Sequence, residues 1–441
     1  MLQNAEKLEQ ELRELRRDFH KYAEVKWTEF RTTCKVAQRL QALGIPVLLG
    51  KETTVPGMQF SFPDEQILAQ EMARAKEQGA NQELLERTEG YTGAVGILDT
   101  GRPGPVVAMR FDMDALPIDE ENADTHFPCA NGFSSINHNC THACGHDGHT
   151  AIGLVLAEVL AEMQDELCGK IKFIFQPSEE GGGGARGMVE RGLLDDVDYF
   201  FAPHMGLSTL DGKPLGSHAI MGGARDFLDS RRYNVSYIGK AAHPCGDPNN
   251  GKNALLAACN AALNVHAIAP HCEGMMRVNV GVLHAGVGRN TIAPEAHMEL
   301  EVRGENDAIA TYAEQKMLSV VRGAADMYQL ECEIQVIGKT LSGQSDDAAI
   351  EMVMEAAHEI PWYTEFYPVG SVGGTDDASD MMRRVQEHGG IATYIGLGAD
   401  FAASFHNRAF NFDEDALLPG VELFVKLIQQ AGKRFEGGTR E

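Results

Sequence analysis

The stretch Cys140-Thr-His-Ala-Cys-Gly-His-Asp-Gly-His-Thr150 places two thiols, three imidazoles and a carboxylate within eleven residues, then runs straight into the apolar, helical-period segment Ala151 to Met163. A loop of ligand-type side chains at a helix start reads as half of a metal site. Cys144 and His146, two residues apart, can share a pocket but cannot complete a four-coordinate shell, so the remaining chain must bring further ligands to them. Two other readings stand beside this one. Cys140, His142, Cys144 and His146 would make a structural zinc staple, although no second Cys-x2-Cys or His-x3-His pair lies nearby. Cys144 with His146 or His149 as base would make an activated thiol.

At 441 residues the chain exceeds what one hydrophobic core serves, and two domains are expected. The formal net charge of −26 argues against nucleic acid or an anionic membrane as partner. It also requires a local cationic or metal trap for any anionic substrate. Nine cysteines, an odd number spread from Cys34 to Cys332, do not form a secreted disulfide framework. The start lacks a basic and then apolar leader pattern, and no apolar run approaches about 18 residues. A soluble cytoplasmic protein is the expectation.

Leu8, Leu12, Leu15 and Phe19 recur at helical spacing, giving an amphipathic first helix that ends in Arg16-Arg-Asp-Phe-His20, a charge run read mostly as a solvated face. Residues 26 to 43 repeat the helical pattern, and Asp64 to Arg87 is a charged helical insertion. Ala94 to Leu98 and Pro105 to Met109 are β-type runs joined by the turn Asp99-Thr-Gly-Arg-Pro-Gly. Asp112 and Asp114, just after the second run, share a face at its carboxyl end. They either cap that strand or orient the imidazoles of the following loop. Lys170 to Gln176 reads as a strand that delivers Pro-Ser-Glu179-Glu180 and four glycines. Adjacent carboxylates are costly unless a cation shares them. One Glu then binds the metal while the other moves protons. The glycines do not form a phosphate loop, because no Gly-Lys-Ser/Thr follows. A further strand delivers His204, and Ser404-Phe-His406-Asn407 supplies a late ligand candidate.

Residues 226 to 343 read as β-α-β-β-α-β, a ferredoxin-like unit inserted into an α/β domain made of residues 1–225 and 344–441. The fold expected is thus a doubly wound mixed sheet carrying an α+β insertion. Cys144, His146, Glu180, His204 and His406, with Glu179 left free, form one mixed S/N/O site for Zn2+ or Mn2+, read as binuclear.

The chain resembles the M20 metallopeptidase and amidohydrolase family, in the branch of hippurate, indole-acetyl-amino-acid and N-acyl-amino-acid hydrolases. The matching motifs are Arg16-Arg-Asp-Phe-His20, Asp112-Met-Asp-Ala-Leu, Ala143-Cys-Gly-His-Asp-Gly-His-Thr150, Phe175-Gln-Pro-Ser-Glu-Glu-Gly181 and Phe405-His-Asn. They span nearly the whole chain in family order. The resemblance implies hydrolysis of the amide of an N-acyl amino acid, a small-molecule substrate, with p-aminobenzoyl-glutamate first among the candidates. The alternatives are another N-acyl or N-aroyl amino acid, a dipeptide, or no reaction at all in a silent partner chain. The resemblance also implies two Mn2+ or Zn2+ per chain on Cys144, His146, Glu180, His204 and His406, Glu179 as general base, and Asp112 or Asp114 standing behind the ligands. Residues 226–343 would be a lid that dimerises, making a homodimer to which a homologous second chain can be added. In that lid His243, Asn290 and Arg303 resemble the residues that hold the tetrahedral oxygen and the substrate carboxylate. Gly373-Gly-Thr-Asp-Asp-Ala378 departs from the family's substrate-carboxylate loop, and no role is taken from it.

Overall fold

The strand-type runs build two separate sheets in the computed structural model, which describes residues 4–436. Residues 1–3 of the amino-terminal stretch read above lie outside the described residues. In chain order the strands are β1 Val47–Leu49, β2 Ala94–Asp99, β3 Val106–Asp112, β4 Lys170–Gln176, β5 Tyr199–Met205, β6 Ala219–Met221, β7 Asp229–Ile238, β8 Met276–Ala285, β9 Glu295–Gly304, β10 Glu331–Thr340, β11 Glu365–Tyr367 and β12 Ile391–Leu397. The described chain divides into two compact units, Met1–Arg225 with Gln344–Glu441, and Asp226–Gly343.

The first unit holds a mixed sheet in the order β1-β2-β4-β3-β5-β12-β6-β11. Pairing is parallel from β4 through β3 and β5 to β12, and antiparallel between β2 and β4 and between β12 and β6. β2 and β3 are consecutive in sequence yet not neighbours, because β4 lies between them. Near-continuous burial along β3, β4 and β5 is what a parallel sheet covered on both faces requires. The helix His146–Glu162 lies close over this sheet: a Cβ at Gly153 would come within 2.6 Å of the Phe111 ring. Phe111 in turn packs on Phe175 and Phe424, with ring centroids 5.6 and 5.9 Å away.

Several local expectations change in the structure. The first helix, Ala5–Lys21, buries Leu8, Leu12, Leu15 and Phe19, but it also buries Arg16 and His20 completely. Those two are not a solvated face. The second helix begins at Phe30, not at residue 26. The charged insertion is two helices, Glu65–Glu77 capped by Asp64 and Gln82–Arg87 capped by Asn81, since the chain turns between them at Gly79. The short strands β1, β6 and β11 and the helices Asp347–His358 and Ala378–Glu387 are elements beyond those expected above, although Met381, Met382 and Val385 of the last of these helices lie on one buried face.

The second unit is a four-stranded antiparallel sheet in the order β10-β7-β9-β8 with helices Ala254–His266 and Asp307–Tyr328. Alternate residues Ala296, Met298, Leu300 and Val302 of β9 are buried, and they meet Ala257, Ala258, Ala261 and Met317 in one apolar cluster. Among the described residues, no helix is long and apolar enough to cross a membrane.

Candidate metal centre

The carboxyl ends of β3, β4 and β5 converge, as parallel strands in an open α/β sheet do. From β3, Asp112 presents one oxygen 2.5 Å from His149 Nδ1 and the other 2.5 Å from Arg110 Nη1. Asp114 accepts the backbone N–H of Glu179 on one oxygen and that of Glu180 on the other, both at 3.0 Å. The two acids therefore orient an imidazole and the glutamate pair, which disposes of the strand-cap reading.

Gly145 ends the ligand loop at φ 92°, a left-handed conformation that glycine adopts without strain, and the helix starts at His146. His146 Nδ1 lies 2.8 Å from the Asp114 carbonyl oxygen, while its Nε2 is buried with no hydrogen-bond partner. His204 is held the same way, its Nδ1 2.9 Å from the Met205 carbonyl oxygen and its Nε2 3.5 Å from Cys144 Sγ. A ring whose Nδ1–H is donated to a carbonyl keeps the Nε2 lone pair for a cation, the usual orientation of a ligating histidine. His149 differs. Its Nε2 accepts the Met205 N–H at 2.8 Å, so both nitrogens are used internally.

The glutamate pair sits on a turn held from beneath. Ser178 takes φ 53°, a costly value for a residue with a Cβ, and its N–H is donated to the buried carboxylate of Glu29 at 2.8 Å. Glu29 also accepts the Thr92 hydroxyl at 2.7 Å. His406, likewise left-handed at φ 58°, is tied by its N–H to the Ala143 carbonyl at 2.9 Å and brings Nε2 to 3.3 Å from Glu180 Oε1.

The donor atoms of Cys144, His146 and His204 lie within 4.8 Å of one another, and so do those of Cys144, Glu180 and His406 and those of His146, Glu179 and Glu180. The five residues marked as ligands in the sequence thus form two triads that share the thiol. Sulfur, imidazole and carboxylate in this proportion suit a borderline divalent ion, and the unpartnered, buried His146 Nε2 is what such an ion would take up.

The electrostatics point the same way. Burial alone would lower the His146 imidazole, but Asp112, Asp114 and Glu180 outweigh it and push it up to about 10, so a proton stands where a cation would bind and must leave when one does. Burial takes His204 down to about 4, leaving it neutral and able to ligate. Burial, then Asp376 and Glu180, raise Glu179 well above the ordinary carboxylate range. A cavity so rich in acid attracts cations.

Neither rival reading of the ligand loop survives. Cys140 packs with Ala23 and Ala115 in an apolar cluster and, like His142, joins none of the ligand groups among the described residues. Neither base offered for the Cys144 thiol bonds it: His146 Nε2 has no hydrogen-bond partner, and both His149 nitrogens are taken by Asp112 and the Met205 N–H. Asp147, the acid of the ligand loop, faces away from these groups. It accepts Arg16 Nε at 2.9 Å and meets His20 Nδ1 at 2.8 Å, which explains the burial of that helix face.

Sequence reasoning missed a second set. Arg110, Gln176, Asp376, Asp377 and Tyr394 are all buried, and the Asp376 and Asp377 carboxylates lie within 4.8 Å of that of Glu179. The available signal was the Asp-Asp pair in the departing loop 373–378. In the second unit, His243 is exposed and its Nδ1 accepts the N–H groups of Cys245 and Gly246 at 3.2 and 2.9 Å, leaving Nε2 as the N–H donor. Asn290 lies exposed between β8 and β9. Arg303 on β9 makes a two-pronged ion pair with Glu301, at 3.1 and 3.0 Å.

The fold and this cluster define a metallohydrolase class, and residues 108–430 match the model of peptidase family M20/M25/M40. The chain belongs to that family and is a hydrolase of amide bonds. It is 44% identical over 414 residues to the indole-3-acetyl-aspartic acid hydrolase of Enterobacter agglomerans, covering 93% of this chain and 94% of that protein. It is 44% identical over 413 residues to one of the named subunits of the p-aminobenzoyl-glutamate hydrolase of Escherichia coli K12, covering 93% of each. The crystal structure of the aminobenzoyl-glutamate utilization protein of Klebsiella pneumoniae superposes with a TM-score of 0.82 at 38% identity, covering 96% of this chain and 97% of that one.

Proposed function

We propose that this chain hydrolyses the amide bond between an aromatic acyl group and an acidic amino acid, with p-aminobenzoyl-glutamate as the foremost substrate. The names of two relatives at 44% identity support the class, since each joins an aromatic acyl group to aspartate or glutamate. The observation that carries the reading is the free Glu179 beside the two triads that share Cys144.

Cys144, His146, Glu180, His204 and His406 would hold two divalent ions, Mn2+ or Zn2+, which would supply Lewis-acid polarisation of the amide carbonyl and a water of pKa lowered towards about 7. Glu179 takes the proton of the attacking water and delivers it to the leaving amine nitrogen. Asp114 fixes both glutamates through their backbone N–H groups, acting on position and not on substrate. His243, held as the Nε2–H tautomer, donates to the developing oxyanion, and Asn290 and Arg303 receive the substrate carboxylate.

Residues 226–343 act as the dimerising lid of a homodimer, and the naming of one relative as a subunit supports a place for a second, homologous chain. Nine cysteines with no disulfide among the described residues support a cytoplasmic location. The deciding test is a panel of N-acyl amino acids, p-aminobenzoyl-glutamate and indole-3-acetyl-aspartate included, assayed with Mn2+ and with EDTA. Turnover that survives EDTA, or hydrolysis confined to non-aromatic acyl groups, would overturn the reading. Mixing inactive His243→Ala and Glu179→Gln chains tests the lid: exchange should restore up to about a quarter of wild-type activity if His243 serves the neighbouring chain.

A further inference from the structure

Arg110 lies on β3 with no solvent exposure, and a guanidinium has five N–H donors. All five are used. Nε goes to Gln176 Oε1 at 2.8 Å, Nη1 to Asp112 at 2.5 Å and Asp376 at 3.3 Å, and Nη2 to Asp376 at 2.9 Å and Asp377 at 3.3 Å. The acceptors are themselves held: Asp376 takes the Tyr394 hydroxyl at 2.5 Å and the Ala378 N–H at 2.7 Å. Asp377 takes Gln176 Nε2 at 2.7 Å and the Ala185 N–H at 3.0 Å. Glu179 has its carboxylate within 4.8 Å of both aspartates, yet makes no bond to the guanidinium.

That arrangement is unexpected, because Glu179 shares the neighbourhood of the guanidinium's own acceptors and lies within reach of its charge. A charge-assisted guanidinium–carboxylate pair is among the strongest hydrogen-bonded contacts in a protein, and a free N–H on Arg110 would draw Glu179 into one. We propose that Asp376 and Asp377 are positioning residues whose task is to saturate Arg110, so that the neighbouring Glu179 carboxylate stays unbound and available for proton transfer. The proposal rests on the reading of Glu179 as the general base. It gives loop 373–378, which contributes no ligand to the two triads, a defined part in the reaction.

Saturation is an acceptor count, and it separates two substitutions of similar size. Asp377→Asn keeps an oxygen for Nη2 and Gln176 and loses only the acceptor for the Ala185 N–H, whereas Asp377→Ala leaves all three donors open. The alanine variant should lose more than about tenfold in kcat with KM within about twofold of wild type and metal content unchanged, and the asparagine variant should recover most of the loss. A crystal structure of Asp377→Ala should show the Glu179 carboxylate turned onto Arg110. Equal losses in both variants, a change confined to KM, or Glu179 unmoved in that structure would each overturn the proposal.

Should the alanine variant not fold, the wild-type protein and Glu179→Gln still decide. With 15N-labelled arginine, the five Arg110 guanidinium protons should be observed in slow exchange, and Glu179→Gln should leave their shifts in place. Displaced Arg110 signals in Glu179→Gln would mean that Glu179 is one of its partners, and the inference fails. The activity of the same variant tests the general-base reading separately: an active Glu179→Gln with unmoved Arg110 signals removes the base but not the saturation.

Discussion

The carboxyl end of the large sheet and the body of the inserted unit are built on opposite principles. Around β3 to β5 the protein buries Arg16, His20, Arg110, Asp112, Asp114, His146, Asp147 and His149, each exposed by 1% or less. The inserted unit is held by Tyr233, Val235, Tyr237, four alanines of one helix and the alternating residues of β9, and its buried charges reduce to Asp229 and Arg231 paired with each other. An apolar core can lose one member and survive, because each contributes independent burial. A buried ionic network cannot, since removing one partner strands another charge. The charged end is therefore brittle towards single substitutions, and the apolar unit tolerant of them.

That contrast predicts a ranking of effects. Glu179→Gln should keep fold and metal while kcat falls by about 10²–10⁴, measured by steady-state kinetics beside metal analysis. Near-wild-type turnover would remove Glu179 as base. Cys144→Ala, which takes the shared member from both triads, should instead lower metal occupancy itself, read as stoichiometry after gel filtration. Arg16→Ala removes the buried guanidinium that Asp147 and Glu414 share, leaving Asp147 paired with His20 alone and Glu414 with the half-exposed Arg17 and Arg13, and should cost about 3 kcal/mol by denaturant unfolding. A loss below about 1 kcal/mol, the size of a surface pair, would mean that the charged end is no more brittle than the insert.

Leu300→Ala in β9 should cost about 2–4 kcal/mol of stability with kcat unchanged at permissive temperature. The smallest effect is on pH. Burial would lower the His20 imidazole, but its hydrogen bonds to Asp147 and Glu120 raise it above the ordinary value. Its charged form therefore stabilises the fold fully below about pH 6.5, and that contribution is lost as pH rises through the higher folded value. Thermal melts of wild type should fall across this alkaline window, and His20→Gln should flatten the fall. An unchanged slope would show that His20 is neutral in the folded protein.

The sequence by itself marked the candidate ligands and most of the elements. Cys144, His146, Glu180, His204 and His406 are marked by residue type at strand and helix ends, and a metal's demand for S, N and O donors makes them stand out one by one. β4 and the helices and strands of the inserted unit follow from period and turn residues, which are local signals. Only the tertiary structure decided what surrounds those ligands. Arg16 and His20 look like a wet helix face until Asp147, more than a hundred positions away, is placed against them. Arg110 meets Asp376 and Asp377 across more than 260 positions, and His149 resembles its neighbour His146 in sequence yet has both nitrogens occupied. Whether a charged side chain is solvated, ligating or locked in a buried pair depends on partners that only packing supplies, because the cost of burying it is set by what lies within a few ångströms and not by its neighbours along the chain.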